Sequence, residues 1–307
     1  MIEYQKKYES RLIFDPTVFN RVDPQVKLHE ETKKHPQSSS AACFNVIGAM
    51  SLDPRGLCSY LNSFGLEIEE ILEFPSQVDC GGLIYNDVGY VVFEWVGPQK
   101  SPINESGGGR GFNRTSVDAF LIVKIRGKLT QLLIEWKFTE GFSRELALGL
   151  FCGGQGVERL YRYSSILANF RKKKILPFKF FEEYEAKNID SHLGLYDMSP
   201  DHFYQLLRIT LLAETTTPVD IGHFHIEDYR ILHLTHSQND KINIVQPEYL
   251  KFSPGLKQYV GQSFHSVWKT ILSDSARSRF FSGHWDKALS AVPNVELRSY
   301  LTERYGD

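Results

Sequence analysis

From Val117 to Phe138 the chain reads VDAFLIVKIRGKLTQLLIEWKF, two stretches rich in β-branched and aromatic residues on either side of Arg126-Gly127. No other part of the sequence limits the fold as tightly. Such apolar runs form strands, and glycine supplies the positive φ that a two-residue hairpin turn needs. Three charged residues, Asp118, Glu135 and Lys137, interrupt the runs. Ionised side chains within strands that are otherwise buried are costly unless paired or bound to an ion.

The turn sets the register. With Arg126 and Gly127 as the loop, Ile125 faces Lys128, and counting back along both strands puts Asp118 opposite Glu135. Lys137, two residues further on, joins them on the same face. A loop at Gly127-Lys128 puts Asp118 opposite Lys137 and still leaves all three on one face. A three-residue loop without a bulge splits them. The other face carries Val117, Ala119, Leu121, Val123, Ile125, Ile134 and Trp136, which suits a core. Two carboxylates held together repel each other, and a divalent cation that prefers hard oxygen ligands, Mg²⁺ or Mn²⁺, relieves the repulsion. A lysine beside it can orient or deprotonate a water, or offset charge developing on a phosphate. Together these groups suit metal-assisted phosphodiester hydrolysis. The bland alternative is an edge hairpin with a surface salt bridge between Asp118 and Lys137.

Asp118 on one strand, followed by Glu135-Trp136-Lys137 on the next, resembles the D…ExK signature of the PD-(D/E)xK nuclease superfamily. Restriction endonucleases, Holliday-junction resolvases and repair nucleases belong to it. The resemblance spans residues 36–245 and implies an α/β fold, with a mixed central β-sheet flanked by helices in a restriction-endonuclease-like core. It implies that Asp118 and Glu135 are metal ligands, that Lys137 is catalytic, and that the main-chain carbonyl of Trp136 is a further ligand. Val117 stands where some members have Pro before the Asp; many members lack that Pro. The upstream order, Gln37 through Asn45, then Phe93-Glu94-Trp95, then Arg114 through Asp118, is similar to a group of restriction endonucleases within the superfamily. ExK alone carries little, since Glu31-Thr32-Lys33 and Glu185-Ala186-Lys187 repeat it. Only the copy at 135 sits in an apolar strand with an Asp in register.

The expected function is a divalent-metal-dependent endonuclease acting on DNA, of a restriction or defence type. One alternative is a catalytically inactive nucleic-acid-binding protein on the same fold; the intact Asp, Glu and Lys argue against it. Another is a His-metal hydrolase built on His223 and His225, with His233 and His236 following, but no Cys or carboxylate spacing completes that set.

Further site residues are expected around this centre. Glu94 lies in the apolar strand VVFEWVG. Gln155 starts the helix after the ExK strand, a helix that in the superfamily often supplies Gln, Arg or Tyr, and Arg159 and Tyr161 follow it. Gln205 and Arg208, three apart on a later helix, either contact substrate or cap neighbouring elements. Asn45, near an apolar helix face, is read as bonding backbone. The formal charge is −2, so a nucleic-acid partner needs a local basic surface. Arg159 and Arg162 lead to Arg171, Lys172, Lys173 and Lys174, opposite a face of Val157, Leu160, Tyr161, Ser164, Leu167 and Ala168. Arg110 and Arg114, in a Gly-rich stretch that is not a Walker loop, are further candidates for phosphate contact. The expected DNA-binding set is thus Arg110, Arg114, Arg159, Arg162, Lys172 and Lys173.

The chain is 42% hydrophobic and 23% charged, enough for an ordinary core. Cysteines at 43, 58, 80 and 152, with no C-x-x-C, point to reduced thiols and a cytoplasmic protein rather than a disulfide framework or zinc cluster. No signal peptide or membrane-length apolar run is present, so no membrane partner is expected. The expected organisation is an extension at 1–35, a nuclease-like core at 36–250, and a helical segment at 251–307 that packs on the core or offers a homodimer contact. Helices are expected from Ser38 and Pro54, and over 66–74 with its four glutamates on a solvated face. Strands are expected at 83–85 paired with 90–96, and at 224–234 and 242–245.

Overall fold

The computed structural model describes residues 12–28, 35, 37–76, 78–79, 84–106, 114–141, 145–179 and 193–306. Helix α1, Ser39–Cys43, starts where expected, with the Ser38 hydroxyl accepting a hydrogen bond from the Ala41 amide at 3.3 Å. It continues as a π-turn, Phe44–Gly48. Helix α2, Pro54–Asn62, opens behind Asp53 with Pro in its first turn. The next segment departs from expectation: it is a strand, β1, Ile68–Leu72. Glu67 has φ of 60°, which no helix accommodates, and Ile68 and Ile71 are the residues that reach the core. Two of its glutamates are occupied. Glu67 pairs with Arg126 at 2.7 Å and Glu69 accepts from the Gly127 amide at 3.1 Å.

Strand β2 is Val92–Trp95. The expected pairing with 83–85 does not occur, because Ile84–Tyr85 pairs with Val78–Asp79. Strands β3, Val117–Ile125, and β4, Lys128–Trp136, form the hairpin. Arg126 and Gly127 both take positive φ, 50° and 75°, as a two-residue turn matched to strand twist requires. The register runs from Ile125 opposite Lys128 to Ala119 opposite Ile134. Two long helices follow, α3, Gly153–Lys173, and α4, Asp201–Thr215. Strand β5, Asp228–Thr235, lies parallel to β4. After it, residues 242–245, expected as a strand, begin within a helical turn, Asp240–Asn243. Helix α5, Phe264–Ile271, precedes β6, Phe280–His284, which is parallel to β5, and α6, Val295–Tyr305, comes last. The end of the chain is therefore not wholly helical, since β6 completes the sheet.

The strand order is β1-β3-β4-β5-β6, with β2 beside β1 along the same edge of β3. β1 pairs with residues 122–125 and β2 with residues 117–120. The sheet is thus mixed and flanked by helices. Its hydrophobic faces are both covered, as expected for strands with parallel neighbours. Ala119, Leu121, Val123, Ile125, Ile134 and Trp136 pack toward α1, α2 and α6. Val117 belongs instead to the opposite core, with Phe120, Ile122 and Leu133 against α3, α4 and α5. In α3 the buried stripe is Gly156, Tyr163, Ile166, Leu167 and Phe170. Val157 and Tyr161, expected inside, are 63% and 78% exposed. Gly156 sets this rotation: a Cβ there would lie 2.2 Å from the Phe151 carbonyl carbon, so only glycine lets the helix approach at that point.

Candidate active site

The β3–β4 register, continued one residue beyond Ala119 and Ile134, sets Asp118 against Glu135. On the other side, the β2–β3 register puts Glu94 level with Asp118. Three carboxylates thus form a row across three strands, at the end of the hairpin away from the turn. The face they occupy is the one covered by α3 and α4, and Phe120 and Leu133 continue it into the core.

Glu135 and Lys137 are 4% and 7% exposed. The Lys137 Nζ lies 2.6 Å from Glu135 Oε1 and 4.0 Å from Asp118 Oδ2. Asp118 Oδ2 also accepts the Trp136 amide at 2.6 Å, which ties the two strands together at this level. The Trp136 carbonyl accepts the Ser39 hydroxyl at 3.2 Å, so the start of α1 fixes that peptide. The Lys137 carbonyl accepts the Trp285 indole at 3.0 Å. A cavity of about 130 Å³ opens on this group, and its walls include Arg114, Ser116, Gln205 and Arg208.

The charges do not balance. Burial, and then the facing Glu135, push the Asp118 carboxyl well above the ordinary carboxylate range, against the pull of Lys137 and the Trp136 amide. Burial raises Glu135 as well, opposed chiefly by Lys137. Burial and Asp118 push Glu94 up to about 7. Burial alone would lower Lys137, but Glu135, Asp118 and Glu140 outweigh it and hold the amine charged well above the ordinary lysine range. One ammonium serves three carboxyls, of which Glu135 is buried and Asp118 and Glu94 are partly exposed.

These residues fit a small hard cation. Ionised together, the carboxyls would carry more negative charge than Lys137 offsets, which a cation would relieve, and the nearby donors are oxygens. Gln205 Nε2 donates to Asp201 at 3.2 Å, while its Oε1 is buried without a hydrogen-bond partner beside the same cavity. Among the described residues, no three His, Cys, Asp or Glu side chains form a group able to hold a metal by themselves. Two carboxylates and carbonyl oxygens, with water completing the shell, suit Mg²⁺, which keeps several of its waters.

The other expected residues separate. Gln155 lines a neighbouring cavity with Arg159 and Arg162, and Gln205 from α4 stands at the carboxylates in its place. Tyr161 lines neither cavity. Arg114 reaches the carboxylate cavity but is held by the carbonyls of Val96, Pro98 and Gln99 and by Gln25. Lys172 and Lys173 are exposed at the end of α3. Arg110 lies outside the described residues. Asn45 bonds the Phe14 amide, the Leu12 carbonyl and the Tyr305 hydroxyl, which is the structural role expected of it. His223 and His225 sit exposed on the hairpin Val219–Ile226, where His225 pairs with Asp220 at 2.6 Å. His233 is instead buried in β5 against His265. Sequence reasoning placed Gln205 and Arg208 on one helical face but did not connect them to the carboxylates.

Comparison with known families matches residues 10–306 to the family described as Restriction Endonuclease associating with ARP. The chain belongs to this family. No curated protein and no solved structure matches. The mixed sheet with flanking helices is the restriction-endonuclease-like fold of this family, and membership carries a nuclease-like role. Among the described residues, no helix is long and apolar enough to cross a membrane.

Proposed function

We propose that this member of the family is a divalent-metal-dependent endonuclease that hydrolyses phosphodiester bonds in DNA. The observation that carries the reading is the group Asp118, Glu135 and Lys137, in register on adjacent strands, with Glu135 and Lys137 buried and Lys137 shared between two carboxyls. Asp118, Glu135 and the Trp136 carbonyl would hold Mg²⁺ or Mn²⁺, with Glu94 and Gln205 close behind them. When bound, the ion would neutralise phosphate charge and lower the pKa of water.

The chain's own groups divide the remaining work. The Ser39 hydroxyl donates to the Trp136 carbonyl and Asp118 anchors the Trp136 amide on the peptide before it, so that carbonyl is pre-positioned. Lys137 is held as an ammonium by its carboxylate neighbours, so it serves to orient the attacking water and to offset charge on the phosphate. Arg208 faces the same cavity and can donate to phosphate oxygens. Lys172 and Lys173 would add salt-dependent attraction to a phosphate backbone, independent of sequence.

The test is cleavage of plasmid and oligonucleotide DNA with Mg²⁺ or Mn²⁺ by wild type, Glu135→Ala and Lys137→Ala. Metal-dependent cutting that both substitutions abolish supports the assignment. Cutting that survives both would place the chemistry elsewhere, and no cutting by wild type would favour a binding protein on this fold.

A further inference from the structure

A cavity of about 580 Å³ lies at the same end of the hairpin as the carboxylates, and its walls include Gln37, Phe138, Asn239, Asp240, Lys241 and Tyr305. The loops that build it are those leaving β4 and β5, and the crevice outside the carboxyl ends of parallel strands is where α/β sheets place ligands. Phe138 follows Lys137 directly, and successive residues of an extended chain project to opposite faces. Lys137 lines the carboxylate cavity, while Phe138 packs with Trp285 and Tyr305 on the α6 side.

The walls are pinned to one another. The Lys137 carbonyl accepts the His236 amide at 3.2 Å, and Asn239 Nδ2 donates to the carbonyls of Phe138 and Glu140 at 2.8 and 2.9 Å. The Thr139 hydroxyl donates to the Gln37 carbonyl at 2.9 Å. On this frame the Phe138 ring lies 5.3 Å from the rings of His236 and Trp285 and 5.4 Å from that of Tyr305. Those three residues are buried, whereas Phe138 is half-buried and lines the cavity. A ring fixed on three sides, with its remaining surface in a pocket, is a stacking platform.

The charge around it suits a neutral occupant. Arg304, also in the wall, is 1% exposed, with its guanidinium over the rings of Tyr300 and Tyr305. The exposed cation of the rim, Lys241, stands next to the exposed Asp240. A flat apolar floor below a rim of amide, hydroxyl and balanced charge matches a planar heteroaromatic ring with polar edges. The volume is that of a small-molecule site.

We infer that this pocket takes one unpaired nucleobase, stacked on Phe138, from the strand whose phosphate lies at the carboxylates. The nuclease reading supplies the identity of that strand; the pocket's affinity for a base does not depend on it. The consequence is a substrate class. DNA with a base already out of its stack is favoured over a fully paired duplex, which must first give up pairing and stacking worth a few kcal/mol.

Fluorescence anisotropy in EDTA, where metal-dependent cutting is blocked, compares a fully paired duplex with the same duplex carrying one bulged thymine. Wild type should hold the bulged duplex about tenfold more tightly, a difference of about 1.4 kcal/mol. Phe138→Leu, which keeps apolar bulk but removes the flat ring, should lose that preference, and Phe138→Tyr should keep it. Thr139→Trp, at the exposed rim, should fill the pocket and abolish the preference without touching the aromatic cluster, so it decides the matter should the leucine variant misfold. Equal affinity of wild type for the two duplexes, or a preference that survives in either folded variant, overturns the pocket. Cleavage reports separately: cutting without the preference removes the base pocket and keeps the nuclease, whereas the preference without cutting keeps the pocket and removes the nuclease.

Discussion

The two ends of one hairpin handle charge in opposite ways. At the turn, Arg126 and Glu67 meet at 2.7 Å with side chains 77% and 61% exposed. At the open end, Lys137 and Glu135 meet at 2.6 Å with side chains 8% and 6% exposed. The distances are nearly the same and the energetics are not. An exposed pair trades water for a partner with little net gain, whereas a buried pair gives up hydration that its attraction barely recovers. The open end goes further, because Asp118 and Glu94 would on ionising add negative charge that Lys137 cannot match, and both carboxyls are held above the ordinary range. A fold selected for stability alone gains nothing from that arrangement. Its retention inside the sheet is the physical case for a functional centre.

The largest expected effect follows directly. Asp118→Ala or Glu135→Ala should lower metal-dependent cleavage by roughly 10³-fold or more, given the several kcal/mol of charge stabilisation a metal supplies. Glu67→Ala at the turn should leave it unchanged. Initial rates of plasmid nicking compare the three, and a Glu67 variant as impaired as the others would erase the distinction between the ends. Next comes stability. Lys137→Met strands the buried Glu135 carboxylate and should cost about 3–5 kcal/mol by urea unfolding. Adding Glu135→Gln to it should restore part of that loss. A single Lys137→Met variant as stable as wild type would mean the pair is not desolvated as described.

Why the sequence showed one half of this site and not the other has a physical answer. The hairpin was legible because the turn chemistry, the period-2 alternation and the misplaced charges all sit within about twenty consecutive residues and constrain one another. Gln205, Arg208 and Glu105 reach the site from a later helix and an earlier loop, and no local pattern encodes which way a helix face points once packed. Residues 66–74 misled for a related reason: their glutamates suggest a solvated helix, but two of them clasp a turn about sixty residues away. Strand β6 was hidden because it is only five residues long and its second half, Ser282-Gly283-His284, has little strand character of its own. It is held by pairing with β5, and Gly283 leaves space that the Phe64 ring fills, since a Cβ there would lie 2.5 Å from Phe64.

A smaller effect concerns pH without metal. Glu94 is raised to about 7 from an ordinary value near 4.5, so the folded state binds its proton more tightly than the unfolded state does. That contribution is present at low pH and fades as pH rises from about 5 through 7. In EDTA, the stability difference between Glu94→Gln and wild type should therefore widen in favour of the variant across that window. Saturating Mg²⁺ should narrow it, because a bound cation favours the ionised carboxylates and stabilises only the folded state. Melting curves at several pH values measure both. A difference that stays flat with pH would show that Glu94 is better solvated than its place in the row implies.

The smallest effect is expected at the turn, and it is the sharpest control. Glu67→Ala, Arg126→Ala and the double variant form a cycle whose coupling should be under about 1 kcal/mol and should shrink in 1 M salt. The hydrogen bond from the Gly127 amide to the Glu69 carboxylate is untouched by all three variants, so the turn should keep its shape and the register at Asp118 should be undisturbed. Cleavage should then be the same across the cycle. If instead these surface changes reduce cleavage while the fold stays intact, the turn must set the strand register that brings Asp118 and Glu135 level. The two ends would then be one mechanical unit, with the exposed pair holding the buried one in place.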